Sequence, residues 1–197
     1  MDVQAEPFRK VAEKRATDIC ARVALSAAAR AFLAPSLSPQ GYLGLLLGNE
    51  HYADAARFLS FALPIREGVW WSCVVARVNL PSEPPADTLS ALQAAEAWVY
   101  SPEDDGIRRK CLACAEALKF DGAASYAALA AFWSGGSMAP EGLPEVVPDP
   151  SLGPTGVGAA ILLAVTNGPP VQMNDRFRDA IARGIEVANG GNGGLRG

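Results

Sequence analysis

The sequence predicts an all-α protein, built as a single-domain bundle or an irregular helical-repeat array of about seven to nine helices. Apolar residues recur at three- and four-residue spacing through most of the chain, which is helical periodicity. Proline and glycine clusters separate these stretches and supply stop and start signals. Alternation of the kind a strand shows is missing, and no fixed repeat of 30–45 residues emerges.

The first helix is expected from about residue 7 to 32, with Val11, Ala12, Ile19, Val23 and Leu25 on one side. Pro35 ends it, and Ser38 and Pro39 read as N-cap and first position of GYLGLLL. Asn49 opens a stretch in which Tyr52, Ala55, Ala56, Leu59 and Leu63 recur at helical spacing, with His51 in its first turn. Pro64 then starts PIREGVWWSCVVARV. Beyond Glu67 this segment is apolar on nearly every side, so it belongs at the centre of the fold.

Asp87 is expected to cap TLSALQAAEAWVY, and Ser101 to cap the helix after it, with Pro102 at N1 and Asp104 at N3. That helix buries Cys111 and Ala115 and turns Arg108, Arg109 and Lys110 outward. The alanine-rich AASYAALAAFW follows. FWSGGSM ends it, with Gly135 or Gly136 at C′ in the left-handed conformation. Residues 138–154 carry five prolines and read as an extended arm laid over the helices, burying Leu143, Val146 and Val147. TGVGAAILLAV and a helix from about 175 to 188 complete a domain spanning 1–189. Residues 190–197 read as a flexible glycine-rich tail.

Half the residues are apolar and 19% are charged, the profile of a folded globular chain. Seventeen basic against 21 acidic residues give no global attraction to nucleic acid. The polar N-terminus has no secretory apolar core, and the longest uncharged apolar run, 156–165, is about half of the ~20 residues a membrane span needs. A cytoplasmic location is the expectation, and four cysteines in helical patterns agree with it.

No catalytic set assembles. His51 is the lone histidine and has no nucleophile placed beside it. Cys111 and Cys114 form a C-x-x-C, but mid-helix on an apolar stripe, where buried thiols are the better reading than a redox or zinc site. No metal and no cofactor is implied. The candidate ligand-binding residues are Arg66 and Glu67, at the mouth of the central helix, with Ser134 and Ser137 in the glycine loop. Trp70, Trp71, Trp133, Gly135 and Gly136 are expected to be structural. The GVG of 156–158 lacks the strand and spacing of a dinucleotide loop.

YADAARFLSFALPIREGVWWSCVVAR and LAAFWSGGSMAP resemble an uncharacterised bacterial family, a domain of unknown function. Arg66-Glu67 before Trp70-Trp71, and the Phe132–Ser137 block, carry the likeness, which covers about residues 38–189. Proteins of this kind are associated with type VI secretion neighbourhoods, and the resemblance supplies no catalytic residues. It implies a non-enzymatic adaptor- or chaperone-like accessory whose partner is another protein, a secretion effector or a spike component. The alternative is a small-molecule-binding or enzymatic domain with a pocket near Arg66, Glu67 and the 134–137 loop.

Overall fold

The structure, a computed structural model, describes residues 7–140 and 142–194. Within them are ten α-helices, a single 3-10 turn and no strand. The helices are α1 (Ala16–Cys20), α2 (Ala27–Arg30), α3 (Pro39–Gly48), α4 (Tyr52–Ala62) and α5 (Ile65–Val78). They continue as α6 (Ala86–Tyr100), α7 (Asp105–Ala117), α8 (Gly122–Phe132), α9 (Leu152–Thr166) and α10 (Met173–Ala188). The expected domain ends and tail reach residues 1–6 and 195–197, which lie outside the described residues.

α5, α8 and α9 form the middle, with α6 and α7 on one side and α4 and α10 on the other. α5 is central, as its apolar surround predicts, and the burial is concentrated on Trp71. That indole is fully buried and donates from Nε1 to Ala180 O of α10 at 2.7 Å. α10 admits it because position 184 is glycine: a Cβ there would lie 2.7 Å from Trp71 Cε2 and 2.6 Å from Leu59 Cδ2. Trp70 lies on the outer stripe with Glu67, Val74 and Arg77, half-exposed, and donates to Asn192 O at 2.8 Å.

α9 reaches its neighbours through the glycines that open it. A Cβ at Gly156 would stand 3.1 Å from Ala130 Cβ of α8, and one at Gly158 would stand 3.1 Å from Ser60 Oγ of α4. The GVG motif is thus a packing surface for two helices.

Several expectations are corrected. The single helix over 7–32 is two short helices. Tertiary hydrogen bonds replace helical ones there: Lys10 N donates to Ala188 O at 2.9 Å and Ala16 N to Leu37 O at 2.8 Å. Ser26 caps α2, while its own N–H and hydroxyl both donate to buried Asp54, at 2.9 and 2.7 Å. Ser101 closes α6 instead of opening α7, whose cap is Asp104, accepting from Ile107 N at 3.0 Å. Asp87 sits in the first turn of α6 behind Pro85. α8 ends on Trp133, which makes Ser134 the C′ residue, and only Gly136 of the two loop glycines has a left-handed φ, +63°.

The arm is not extended throughout: Leu143 N donates to Pro140 O at 3.2 Å in a turn, Gly142 has a φ of +82°, and only residues 144–149 run on without a turn before α9 begins, three residues earlier than expected. Its apolar side chains also point the other way: Leu143, Val146 and Val147 are 61, 49 and 69% exposed. The arm holds on through Ala139 and Pro148, which are buried. Its backbone is pinned by Met138 N donating to Val146 O at 2.8 Å and Val146 N to Ser137 Oγ at 3.0 Å.

Candidate functional site

Arg108 is the most deeply buried charged side chain among the described residues. At 4% exposure it is buried, not turned outward with its neighbours. Its place three residues before Cys111 and seven before Ala115 puts it on the buried stripe, a signal the triplet Arg-Arg-Lys conceals. The guanidinium donates to Asp105 Oδ1 at 2.7 Å, to Phe132 O at 2.9 Å and to Ser137 O at 2.9 Å. It also lies 4.8 Å from the centre of the Phe132 ring. Arg108 and Arg109 both donate to Asp105, and these bonds hold its carboxyl below the usual aspartate range. Gly136 completes the socket: a Cβ there would sit 2.9 Å from Arg108 Cζ, on a backbone that already disfavours side chains.

FWSGGSM is therefore the carbonyl cradle of Arg108. Ser134 Oγ donates to Ala131 O at 2.7 Å, and Ser137 Oγ accepts from Ala139 N and Val146 N, each at 3.0 Å. Both serines are tied into the backbone, and neither bonds to a base among the described residues. Trp133 is half-buried against the core.

Arg66, Glu67 and the glycine loop do not share one pocket. A cleft of about 220 Å³ is lined by Arg66, Glu67, Trp70, Tyr100 and residues 190–192 of the chain end. Glu67 pairs there with Lys10 at 3.3 Å. A second cleft of about 390 Å³ lies across Arg66, between the start of α5, the α6–α7 turn and the loop. Ser134 and Gly135 reach it; Glu67 and Ser137 are not among its walls. Arg66 Nε donates to Val99 O at 2.6 Å, which satisfies a carbonyl at the end of α6 and leaves the guanidinium's two terminal nitrogens without a partner among the described residues.

Two further groups of this second cleft escaped the sequence reading. Glu103, exposed in the α6–α7 turn, has no ion-pair partner among the described residues. Trp98 is 2% exposed, and its buried Nε1 has no hydrogen-bond partner among the described residues. Only the pattern of α6 marks Trp98 as buried; nothing in it reports an unmatched N–H.

The cysteines are free. Burial pushes the Cys111 thiol up to about 12 and raises Cys73 as well, so neither is poised as a thiolate near neutral pH. Among the described residues no group of three or more His, Cys, Asp or Glu is arranged to hold a metal ion. His51 is the N-cap residue of α4, its ring 5.5 Å from that of Phe32.

Residues 42–188 match DUF6931, a family of unknown function. The chain belongs to that family. The matched region runs from α3 through the whole of α10 and includes Arg66, Trp98, Glu103, Arg108 and the glycine loop. No curated protein and no solved structure matches the chain. No helix among the described residues of this DUF6931 chain is long and apolar enough to cross a membrane.

Proposed function

We propose that the protein is a non-enzymatic interaction module of the bacterial cytoplasm, an adaptor- or chaperone-like accessory of a secretion system whose partner is an effector or a spike component. One observation carries the interaction reading: the arm presents Leu143, Val146 and Val147 to solvent on a backbone that Ser137 holds in place. Prolines at 144, 148 and 150 keep such a segment extended before it binds, which lowers the ordering cost of docking. Residues 138–151 carry three acidic residues and no lysine or arginine, so the fitting partner surface is an apolar groove with a basic rim. The secretion setting rests on the likeness of the Arg66–Trp71 and Phe132–Ser137 blocks.

A photo-crosslinking residue at Val147, used in the native host, tests this. The expected result is one dominant adduct to a secretion component, lost when Val146→Asp is added while the melting temperature holds. Crosslinking that survives Val146→Asp, or no adduct at all, defeats the arm as a docking element.

A second reading, a small-molecule-binding domain, is favoured by the two open terminal nitrogens of Arg66 at the cleft of about 390 Å³.

A further inference from the structure

The arm after the glycine loop is bonded to the body along one side only. Both backbone groups of Val146 turn inward: its C=O accepts from Met138 N at 2.8 Å, and its N–H donates to Ser137 Oγ at 3.0 Å. Residues 144–149 run on without turn or bend. In a pleated chain the backbone groups of successive residues face opposite ways, so those of Glu145 and Val147 point away from Ser137 and Met138. No hydrogen bond among the described residues takes the N–H or C=O of either one, and both residues are exposed. That is the bonding state of a strand edge.

The prolines fit such an edge. Pro144 and Pro148 share the register of Val146, turned to the body, so their missing N–H groups take nothing from the outer side. Glu145, Val147 and Asp149 occupy the outer register and keep theirs. The inner side is held in place before any partner arrives: Pro148 is buried, Arg108 donates to Ser137 O at 2.9 Å, and Arg109 Nη1 donates to Ala139 O at 3.0 Å.

The outer register reads acidic, apolar, acidic. A second copy of the arm would set these carboxylates against their own kind, since residues 138–151 hold no lysine or arginine. A strand that alternates basic, apolar and basic side chains matches them instead. We infer that residues 145–149 are an open edge for β-augmentation, which takes an extended segment of another protein with a basic–x–β-branched–x–basic pattern onto the N–H and C=O groups of Glu145 and Val147. The inference rests on the reading of the arm as a docking element, and it specifies the basic rim of the partner's groove as a strand.

The test titrates the isotope-labelled full chain with the capped peptide Thr-Lys-Thr-Val-Thr-Lys-Thr, which reads the same in both directions, and follows the amides by magnetic resonance. The Glu145 and Val147 amides shift downfield and exchange more slowly with water, while the Val146 amide, already bonded, moves least. Methylating the amide nitrogen of the peptide's Val, or of the Thr after it, removes a donor from one peptide edge or the other. One of these two peptides loses at least about tenfold in affinity and the other keeps it. Replacing both Lys by Glu costs at least about tenfold, and Glu145→Gln about threefold. Methylated peptides that bind alike, or Glu145 and Val147 amides that stay in place at saturation, overturn the strand edge. So does an absence of saturation up to about 10 mM. A Glu peptide that binds as tightly as the Lys peptide overturns the basic pattern. The Val147 adduct separates these failures from that of the docking arm. An adduct lost in Val146→Asp, without strand pairing, keeps the arm and sinks the edge; strand pairing without an adduct keeps the edge and sinks the secretion partner.

Discussion

Arg108 shows how much one side chain can organise. It joins the first turn of α7 to the end of α8 and to the start of the arm, through Asp105, Phe132 O and Ser137 O. Removing it leaves two carbonyls without their charged donor and a hole beside the Phe132 ring, so Arg108→Met should cost about 3 kcal/mol in urea unfolding. Arg108→Lys should recover little, because an ammonium cannot reach three acceptors in the plane of a guanidinium. A Lys variant as stable as wild type would mean that charge alone is what the socket needs. A different residue-scale feature should move stability upward. α7 closes with a Schellman pair, Phe120 N to Ala115 O at 2.9 Å and Lys119 N to Glu116 O at 2.8 Å, and its left-handed C′ position is Lys119, φ +55°. α10 closes the same way on Gly190. Lys119→Gly therefore relieves a left-handed strain of about 1–2 kcal/mol at some cost in unfolded-state entropy, and a net gain of about 1 kcal/mol is expected. A loss of stability would show that the lysine side chain makes a contact worth more than its backbone strain.

At the scale of elements, the central helix was legible for a physical reason. A segment apolar on most sides must be covered on most sides, and α5 is. Which tryptophan is covered was legible too, although the sequence reading did not separate them: Glu67 and Arg77 share the stripe of Trp70, not that of Trp71. Trp71→Ala should cost about 3–5 kcal/mol, and Trp70→Ala well under that. Gly184→Leu should match the Trp71 loss, because both remove the insertion of α5 into α10. If the double variant is no worse than either single one, the two positions share one packing interaction. The N-terminal segment was illegible for the opposite reason. Its periodicity is helical, yet its amides bond to Ala188 O and Leu37 O, far off in sequence, and such partners outweigh local propensity. The arm failed similarly, since composition says that valines prefer burial and cannot say that Pro148 and Ala139 take the available contacts. Of the residues that line the second cleft, the sequence pattern singled out Arg66 and Ser134. Trp98 and Glu103 were missed because an absent hydrogen bond and an absent ion pair are facts of three dimensions.

Across the whole molecule, the layout of contacts argues for one unfolding unit. α5 packs on both flanks, on α6 and on α10, while α8 carries the middle to α6 and α7 and α9 carries it to α4 and α10, so neither flank has a core of its own to keep. The buried residues form one continuous cluster from Phe8 to Ala188. Loss of Trp71 packing on one flank should therefore weaken the Arg108 socket on the other, about as much as it weakens its own surroundings. The check uses thermal unfolding of wild type, Trp71→Ala and Arg108→Met, followed by far-ultraviolet circular dichroism and by tryptophan fluorescence. All three proteins should give a single transition, coincident in both probes, with each substitution shifting the whole curve. A separate early transition in Arg108→Met that spares the Trp71 signal would divide the chain into two units. It would also move the boundary between them to α8, the helix whose end the Arg108 cradle closes.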